Sequence, residues 1–256
     1  MNSTSRPIAV FDSGVGGISV LRELVKLMPK EQYLYFGDSA NAPYGDKTTR
    51  QVRLLTLDAA RMLLQRGAKA LVVACNTATA AAIDVLRETY PDTIIIGIEP
   101  ALKMGADRFP SGRIGVMATQ VTLREEKFLH QTERFPQVHV QQIPAPGLVE
   151  LIESGRANSR ETRVFLEQLL LPYKNQLDAL VLGCTHYPFV RKTVAEILGS
   201  GTQILDGGEG TARQTKRCLE AAGLLSDGPG GVEMINSSND PPLIALCHQL
   251  LEQGGL

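Results

Sequence analysis

Short apolar runs alternate along the chain with longer stretches whose apolar residues recur at helical spacing. The runs at residues 8–11, 32–36 and 71–74 are rich in β-branched or aromatic residues, which is typical of buried strands. The stretch 50–66 places apolar residues three or four positions apart, which indicates an amphipathic helix packed on one side. A strand, helix, strand order of this kind predicts a parallel α/β fold.

The same pattern begins again at Arg113, with predicted strands at 114–117 and 138–142 and a predicted helix at 119–135. We therefore expect two similar α/β domains, with mainly parallel sheets flanked by helices and the active site in the cleft between them. The first domain is expected to combine residues 1–97 with 207–256, and the second to span 98–206. A late apolar run at 232–235 is predicted to form an edge strand.

Two cysteines follow predicted strands in matching contexts. Cys75 comes after the run 71–74 and precedes Asn76 and Thr77, while Cys184 comes after 180–183 and precedes Thr185 and His186. Ligand sites in parallel α/β folds form where such strands end. Because the start of a helix favours an anion, we expect both thiols to be partly deprotonated.

Three uses of this cysteine pair are considered. A zinc site is poorly supported, because His186 is the only further ligand nearby, and a disulfide would be unusual inside a cell. Two thiols on opposite faces of one carbon could instead invert its configuration by proton transfer. Cys218 and Cys247 lie within predicted helices, where packing is the simpler interpretation.

Several polar residues near these strand ends have both a functional and a structural interpretation. Asp12 and His186 could each orient or deprotonate a thiol, or could simply cap a turn or a helix. Glu150 could be a solvent-exposed helix charge. The glycine loop at 12–17 does not complete the dinucleotide pattern G-x-G-x-x-G, but its N–H groups could hold a small carboxylate.

Composition narrows the choice of partner and compartment. The 256 residues carry a formal net charge of −1 without a basic run, so a small molecule is expected as partner rather than nucleic acid or membrane. The polar amino terminus has no apolar signal region, and no stretch is long and apolar enough to span a bilayer, which predicts a cytoplasmic protein. Four cysteines without a CxxC pair argue against a disulfide framework or zinc finger.

Four motifs occur together: residues 12–17, Pro43-Tyr44-Gly45, residues 74–78 and residues 182–188. In this order and spacing they resemble bacterial glutamate racemases, within the cofactor-independent aspartate/glutamate racemase superfamily. The resemblance implies interconversion of L- and D-glutamate, supply of D-glutamate for peptidoglycan, and no pyridoxal phosphate or metal. It also implies that Cys75 and Cys184 are the acid/base residues, assisted by Asp12, Glu150 and His186. The residues expected to hold the substrate are Asp12, Ser13, Tyr44, Gly45, Asn76, Thr77, Thr185 and His186.

Alternatives remain at this point. The enzyme could racemise aspartate or several amino acids, or the chain could be a binding protein on a racemase scaffold that has lost activity. A second role in binding DNA gyrase, suspected for some relatives, has no basic patch here to support it. A homodimer is the assembly to be considered. Because few residues precede the first strand, no activation by a peptidoglycan precursor is expected.

Overall fold

The computed structural model describes residues 3–98, 101–124 and 126–252, which form nine strands and eleven α-helices. In chain order these are β1 (Ile8–Asp12), α1 (Ile18–Leu27), β2 (Gln32–Gly37), α2 (Thr49–Gln65), β3 (Ala70–Val73), α3 (Asn76–Thr89), β4 (Ile94–Gly97), α4 (Leu102–Arg108), β5 (Arg113–Ala118), α5 (Gln120–Arg124), α6 (Glu126–Glu133), β6 (His139–Pro144), α7 (Leu148–Glu153), α8 (Arg160–Leu170), β7 (Ala179–Leu182), α9 (Arg191–Leu198), β8 (Gln203–Leu205), α10 (Gly208–Ala221), β9 (Gly231–Asn236) and α11 (Pro241–Glu252). Five short 3₁₀ helices are Ser3–Ser5, Ser39–Asn41, Tyr44–Asp46, Leu171–Tyr173 and Tyr187–Val190.

These elements form two compact units. The first combines residues 3–98 with 208–252, and the second spans 101–207. The first unit contains a five-stranded parallel sheet in the order β4-β3-β1-β2-β9. The second contains a four-stranded parallel sheet in the order β6-β5-β7-β8. The predicted α/β class with parallel sheets flanked by helices is confirmed.

The central strands are apolar on both faces, as expected for parallel sheets covered by helices on each side. Every residue of β1, β3 and β7 is buried. In the first unit Leu71 and Val73 pack against α2 and α3 through Leu63 and Leu86. In the second, Leu180 and Leu182 share a core with residues from α7, α8 and α9. Both cores thus anchor the strands that lead to the two cysteines.

β9 and the pair α5 and α6 correspond to two further elements that the sequence predicts. The late apolar run forms β9, which lies at the edge of the first sheet beside β2, as expected. The helix predicted at 119–135 corresponds to α5 and α6, and residue 125 between them lies outside the described part of the chain. None of the described helices is long and apolar enough to cross a membrane.

Candidate active site

Three neighbouring strands of the first sheet, β1, β2 and β3, have their carboxyl ends side by side. The polar residues at these ends therefore lie on the same side of the sheet. Asp12 closes β1 and pairs with Gly37, the last residue of β2. The Ala74 N–H donates to the Phe11 carbonyl at 2.8 Å, and the Asp38 N–H donates to the Asp12 carbonyl at 2.9 Å. The residues that follow β1, β2 and β3 therefore lie close together, as expected for parallel strands.

Cys75 occupies the N-cap position of α3 and is buried. Its sulfur accepts a hydrogen bond from the Ala78 N–H at 3.5 Å and lies 3.3 Å from the Ser13 hydroxyl oxygen. The helix begins at Asn76, so Asn76 and Thr77 form its partly exposed first turn. A bound carboxylate there would benefit from the free N–H groups of the helix start.

The protonation state of Cys75 differs from the sequence-based expectation. Burial, followed by the negative charge of Asp12, raises the pKa of this thiol to about 12, although the contacts with Ser13 and the Ala78 N–H act in the opposite direction. Desolvation penalises the thiolate more than one or two hydrogen bonds stabilise it. The prediction that Cys75 is partly deprotonated is therefore wrong, and the residue is a neutral thiol at neutral pH.

Asp12 is fixed by the glycine loop that follows β1. The carboxylate is completely buried, and its Oδ1 accepts a hydrogen bond from the Gly14 N–H at 2.9 Å. A Cβ atom built on Gly17 would lie 2.5 Å from the Asp12 Cβ and 3.1 Å from the Ala74 Cβ. Glycine at this position thus allows the start of α1 to pack directly against Asp12 and Ala74.

A second carboxylate, Asp38, organises the loop that carries Tyr44 and Gly45. Its Oδ2 accepts the Tyr44 hydroxyl at 2.7 Å, and both of its oxygens lie 3.1 Å from the Asn41 side-chain nitrogen. Burial, followed by Asp38, raises the pKa of Tyr44 well above its usual range, so the phenol remains a donor. Sequence reasoning missed Asp38, although it follows β2 much as Asp12 closes β1.

Cys184 lies at the corresponding place in the second unit but does not open a regular helix. The Gly183 N–H donates to the Met117 carbonyl at 2.7 Å, which continues the pairing of β7 with β5 up to the cysteine. A turn and the 3₁₀ helix Tyr187–Val190 follow, and α9 begins only at Arg191. Pro188 explains the difference, because proline lacks an N–H and favours the first turn of a new helical segment. The expected helix start at Cys184 is wrong.

His186 connects Cys184 to a carboxylate. Its Nδ1 lies 3.7 Å from the Cys184 sulfur, and its Nε2 lies 2.9 Å from Oε1 of Glu153. Burial lowers the pKa of His186, but the contacts with Cys184 and Glu153 together outweigh burial and raise the pKa well above its usual value. A protonated imidazole beside sulfur is an arrangement that stabilises a thiolate. Thr185, between the two residues, is buried.

The carboxylate that reaches His186 is Glu153, whereas the resemblance implies Glu150 as the carboxylate of α7 that assists the cysteines. Both residues lie on α7, three positions apart, but Glu150 is exposed whereas the Glu153 side chain is only 29% exposed. Glu150 lies near enough to add, after burial and Cys184, to the raised pKa of Tyr187. The catalytic role expected of Glu150 stays a prediction, while Glu153 is a site residue that sequence reasoning missed.

The polar residues form two clusters, one beyond the carboxyl ends of the parallel strands in each unit, which we call half-sites. The first contains Asp12, Ser13, Tyr44 and Cys75, and the second contains Cys184, Thr185, His186 and Glu153. In the part of the chain that the structure describes, no group of three or more His, Cys, Asp or Glu side chains could hold a metal ion. Each half-site has a thiol after a strand and a carboxylate, but Asp12 acts on Cys75 directly, whereas Glu153 reaches Cys184 through His186.

Comparison with known proteins decides the family. The Asp/Glu/Hydantoin racemase family matches residues 8–215, which covers both half-sites. The chain belongs to this family. Glutamate racemase of Clostridium kluyveri is 47% identical to it over 257 residues, which cover 99% of this chain and 100% of the relative.

Solved structures of racemases share the fold. Glutamate racemase of Thermus thermophilus, in complex with β-chloro-D-alanine, is 37% identical with a TM-score of 0.83, covering 96% of this chain and 93% of that one. Glutamate racemase of Escherichia coli, in complex with L-glutamate and the activator UDP-MurNAc-Ala, is 29% identical with a TM-score of 0.85, covering 96% and 95%. The predicted resemblance and the predicted enzyme class, an amino-acid racemase, are confirmed.

Proposed function

We propose that this racemase interconverts L- and D-glutamate by proton transfer at the α-carbon, with Cys75 and Cys184 as the two acid/base residues. The observation that carries the proposal is the unequal setting of the two thiols. Cys75 is kept neutral by burial and Asp12, whereas Cys184 contacts a histidine whose raised pKa favours the cation. Taking a proton from one face of a carbon and delivering another to the opposite face requires one thiolate and one thiol.

In the L-to-D direction the Cys184 thiolate would remove the α-proton. The electron pair of the broken C–H bond would stay on the substrate as a carbanion-like state, and Cys75 would deliver its thiol proton to the other face. The step would end with Cys184 as a thiol and Cys75 as a thiolate, and the D-to-L direction would reverse it. The proposal thus requires the two half-sites to face one substrate across a cleft.

The substrate's own charges suit the first half-site. Glutamate carries an ammonium group next to the reacting carbon, and this cation would offset the Asp12 charge that raises the pKa of Cys75. Its carboxylates would be held by Ser13, by Asn76 and Thr77 at the start of α3, by Tyr44 and Gly45, and by Thr185. Asp12 and His186 would complete the contacts with the ammonium group and the carboxylates. No cofactor is needed for this chemistry.

The preference for glutamate over aspartate is part of the proposal. It is supported by the glutamate racemases that are similar over nearly the full chain and by the L-glutamate bound in the Escherichia coli relative. One methylene changes discrimination by only about 10–200-fold in an ordinary pocket, so a substrate panel is required. D-glutamate supply for peptidoglycan, in the cytoplasm, belongs to the same proposal and rests on the resemblance.

The test is a chiral assay on purified protein without added pyridoxal phosphate. L-glutamate should be converted to a mixture approaching equal amounts of both enantiomers, and D-glutamate should reach the same mixture. Aspartate should react at least about tenfold more slowly in kcat/KM. Faster turnover of aspartate would favour the aspartate alternative. Absence of turnover with every amino acid of the panel would favour a binding protein without activity.

A further inference from the structure

We propose that Asn236, at the end of the edge strand β9, is a positioning residue for the Tyr44 loop, defined here as residues 38–46. The inference rests on the proposed function, because that function makes Tyr44 and Gly45 part of the substrate site. It assigns a role to the carboxyl-terminal part of the chain, beyond the residues that carry the family motifs. Asn236 acts through the loop and does not need to touch the substrate.

β9 places Asn236 beside the first half-site. The strand pairs in parallel with β2, and the last pair in the register joins Gly37 to Asn236. Asn236 is buried to 3% exposure. A Cβ atom on Gly37 would lie 2.4 Å from the Gly14 carbonyl oxygen and 3.1 Å from the Asn236 side-chain nitrogen. The glycine loop after β1 and the amide of Asn236 thus approach the end of β2 from its two sides.

The orientation of the Asn236 amide follows from its neighbours. Its oxygen Oδ1 accepts from the Ser238 N–H at 3.0 Å and lies 2.7 Å from the Ser238 hydroxyl. A backbone N–H can only donate, so the atom facing it is the oxygen, and the nitrogen Nδ2 points the other way. There Nδ2 donates to the Ser39 hydroxyl oxygen at 2.8 Å. Asn236 therefore links its own turn to the start of the Tyr44 loop.

The neighbouring residue, Ser237, adds one bond to the end of β2 and one bond to the Tyr44 loop. The Ser237 N–H donates to the Gly37 carbonyl at 3.0 Å, and the Ser237 hydroxyl accepts from the Ala40 N–H at 2.9 Å. Residues 236 and 237 thus bind Gly37, Ser39 and Ala40. Two of these bonds involve side chains of residues 236 and 237. The bond from Asn236 to Ser39 is the more shielded from water, because the other bond, from Ala40 to Ser237, is exposed.

A shift at Ser39 would be passed to Tyr44 through Asp38. Ser39 opens the 3₁₀ helix Ser39–Asn41, and the Asn41 N–H donates to the Asp38 carbonyl at 3.0 Å. The Asp38 carboxylate holds both the Asn41 side chain and the Tyr44 hydroxyl. Losing the amide of Asn236 would remove the hydrogen bond that holds the Ser39 side chain and leave only the less shielded bond between Ser237 and Ala40 at this end of the loop. The loop would then sample positions in which Tyr44 and Gly45 are misplaced.

Three single variants separate positioning from general stability. Asn236→Ala removes the amide, and Ser39→Ala removes its acceptor at a partly exposed position without changing β9. Glu233→Gln is the matched control, because Glu233 lies on the same strand and its ion pair with Arg66, 2.6 Å long, is exposed. Circular dichroism of each variant shows whether the fold is retained. If Asn236→Ala does not fold, Ser39→Ala alone decides the matter.

The first readout is kinetic. Asn236→Ala and Ser39→Ala should each raise the KM for L-glutamate about tenfold while kcat falls less, because binding contacts are misplaced and the thiols are not. The double variant should be no worse than the more impaired single variant, since both changes remove the same bond. Glu233→Gln should match the parent. A KM within about twofold of the parent in both loop variants would overturn the proposal.

The second readout does not depend on turnover. Amide hydrogen exchange in residues 39–47 should be about tenfold faster in Asn236→Ala and Ser39→Ala than in the parent and in Glu233→Gln. If the parent does not racemise glutamate, the proposed function fails while hydrogen exchange still tests the positioning of the loop. Unchanged exchange in the folded loop variants would overturn the role of Asn236 even in an active racemase.

Discussion

Cys75 and Cys184 follow corresponding strands of two sheets, but their neighbours give the two thiols different chemistry. Cys75 is buried next to Asp12, and this surrounding disfavours the thiolate. Cys184 is half-buried and contacts the ring of His186, which Glu153 holds from the other side. A helix start was expected to activate both thiols, but burial and a nearby carboxylate dominate at Cys75. Residues distant in sequence thus contribute to the protonation states at both thiols, Asp12 at Cys75 and Glu153 at His186 beside Cys184.

The charge of Asp12 should be measurable through the titration of Cys75. A negative charge next to a thiol disfavours the thiolate, so Asp12→Asn should lower the pKa of Cys75 from about 12 towards the ordinary value of a thiol. The pKa is read from the ultraviolet absorbance of the thiolate as pH is raised, after subtraction of the same protein with Cys75→Ser. An unchanged or higher midpoint in Asp12→Asn would contradict this explanation.

Glu153 and Glu150 provide a matched pair of carboxylates on one helix. Glu153→Gln removes the charge that helps to keep His186 protonated, so the pKa of His186 should fall and kcat for L-glutamate should drop by about tenfold or more. The pKa of His186 is obtained by following its imidazole protons by NMR as pH changes, and kcat is measured by the chiral assay. Glu150→Gln should have the smaller effect on both. A larger loss in Glu150→Gln than in Glu153→Gln would contradict this role of Glu153 and favour Glu150 as the carboxylate that assists catalysis.

At the scale of elements, much of the fold could be predicted from local pattern. β1, β2 and β3 lie where apolar runs predict them, and α3 begins at Asn76 with Cys75 as its cap. The start of α9 could not be predicted from the cysteine motif, because Pro188 postpones the regular helix to Arg191. The choice between Glu150 and Glu153 depends on the phase of α7, which begins after the left-handed Gly147. Sequence spacing alone does not fix that phase.

Gly17 tests how tightly the start of α1 packs against Asp12. It is the N-cap of α1, where glycine is preferred to alanine, and the Cβ of an alanine would overlap Asp12. Gly17→Ala should therefore destabilise the protein by about 1–3 kcal/mol and reduce kcat as Asp12 is displaced. The free energy is obtained from urea unfolding and kcat from the chiral assay.

Gly210 is the matched control for this substitution. It lies in α10, and a Cβ atom there would meet no other heavy atom within 4 Å. Gly210→Ala should stabilise the protein by up to about 1 kcal/mol and leave kcat unchanged, because only propensity is altered. Equal effects of the two substitutions would show that the contact with Asp12 does not matter.

At the scale of the molecule, the first unit is assembled from two separate stretches of chain, and a buried ion pair joins them. The Lys69 ammonium donates to Glu31 at 2.6 Å, to the Thr4 carbonyl at 2.7 Å and to the Leu224 carbonyl at 2.8 Å. Glu31 also accepts from the Ser226 N–H at 2.9 Å. The two side chains are 2% and 1% exposed, so the ion pair itself is shielded from water. No periodicity in the sequence could predict this contact.

Removing one partner of that pair should be costly. Lys69→Met leaves the Glu31 charge buried without its cation and should lower the free energy of unfolding by about 3–5 kcal/mol. The control is Lys30→Met, because the ion pair of Lys30 with Asp227 is 3.7 Å long and its side chains are 66% and 100% exposed. That substitution should change stability little, as is usual for surface pairs. Urea unfolding followed by circular dichroism compares the two, and equal losses would contradict a special role for the buried pair.

The two-thiol mechanism is tested most directly by the fate of the α-proton in deuterated water. L-glutamate is incubated with the racemase for a small fraction of one conversion, the enantiomers are separated, and deuterium at each α-carbon is measured by mass spectrometry. Because Cys184 would remove the proton and Cys75 would deliver one exchanged with solvent, the D-glutamate formed should carry deuterium while the remaining L-glutamate retains protium. D-glutamate that keeps the original protium would contradict the proposed roles of Cys75 and Cys184.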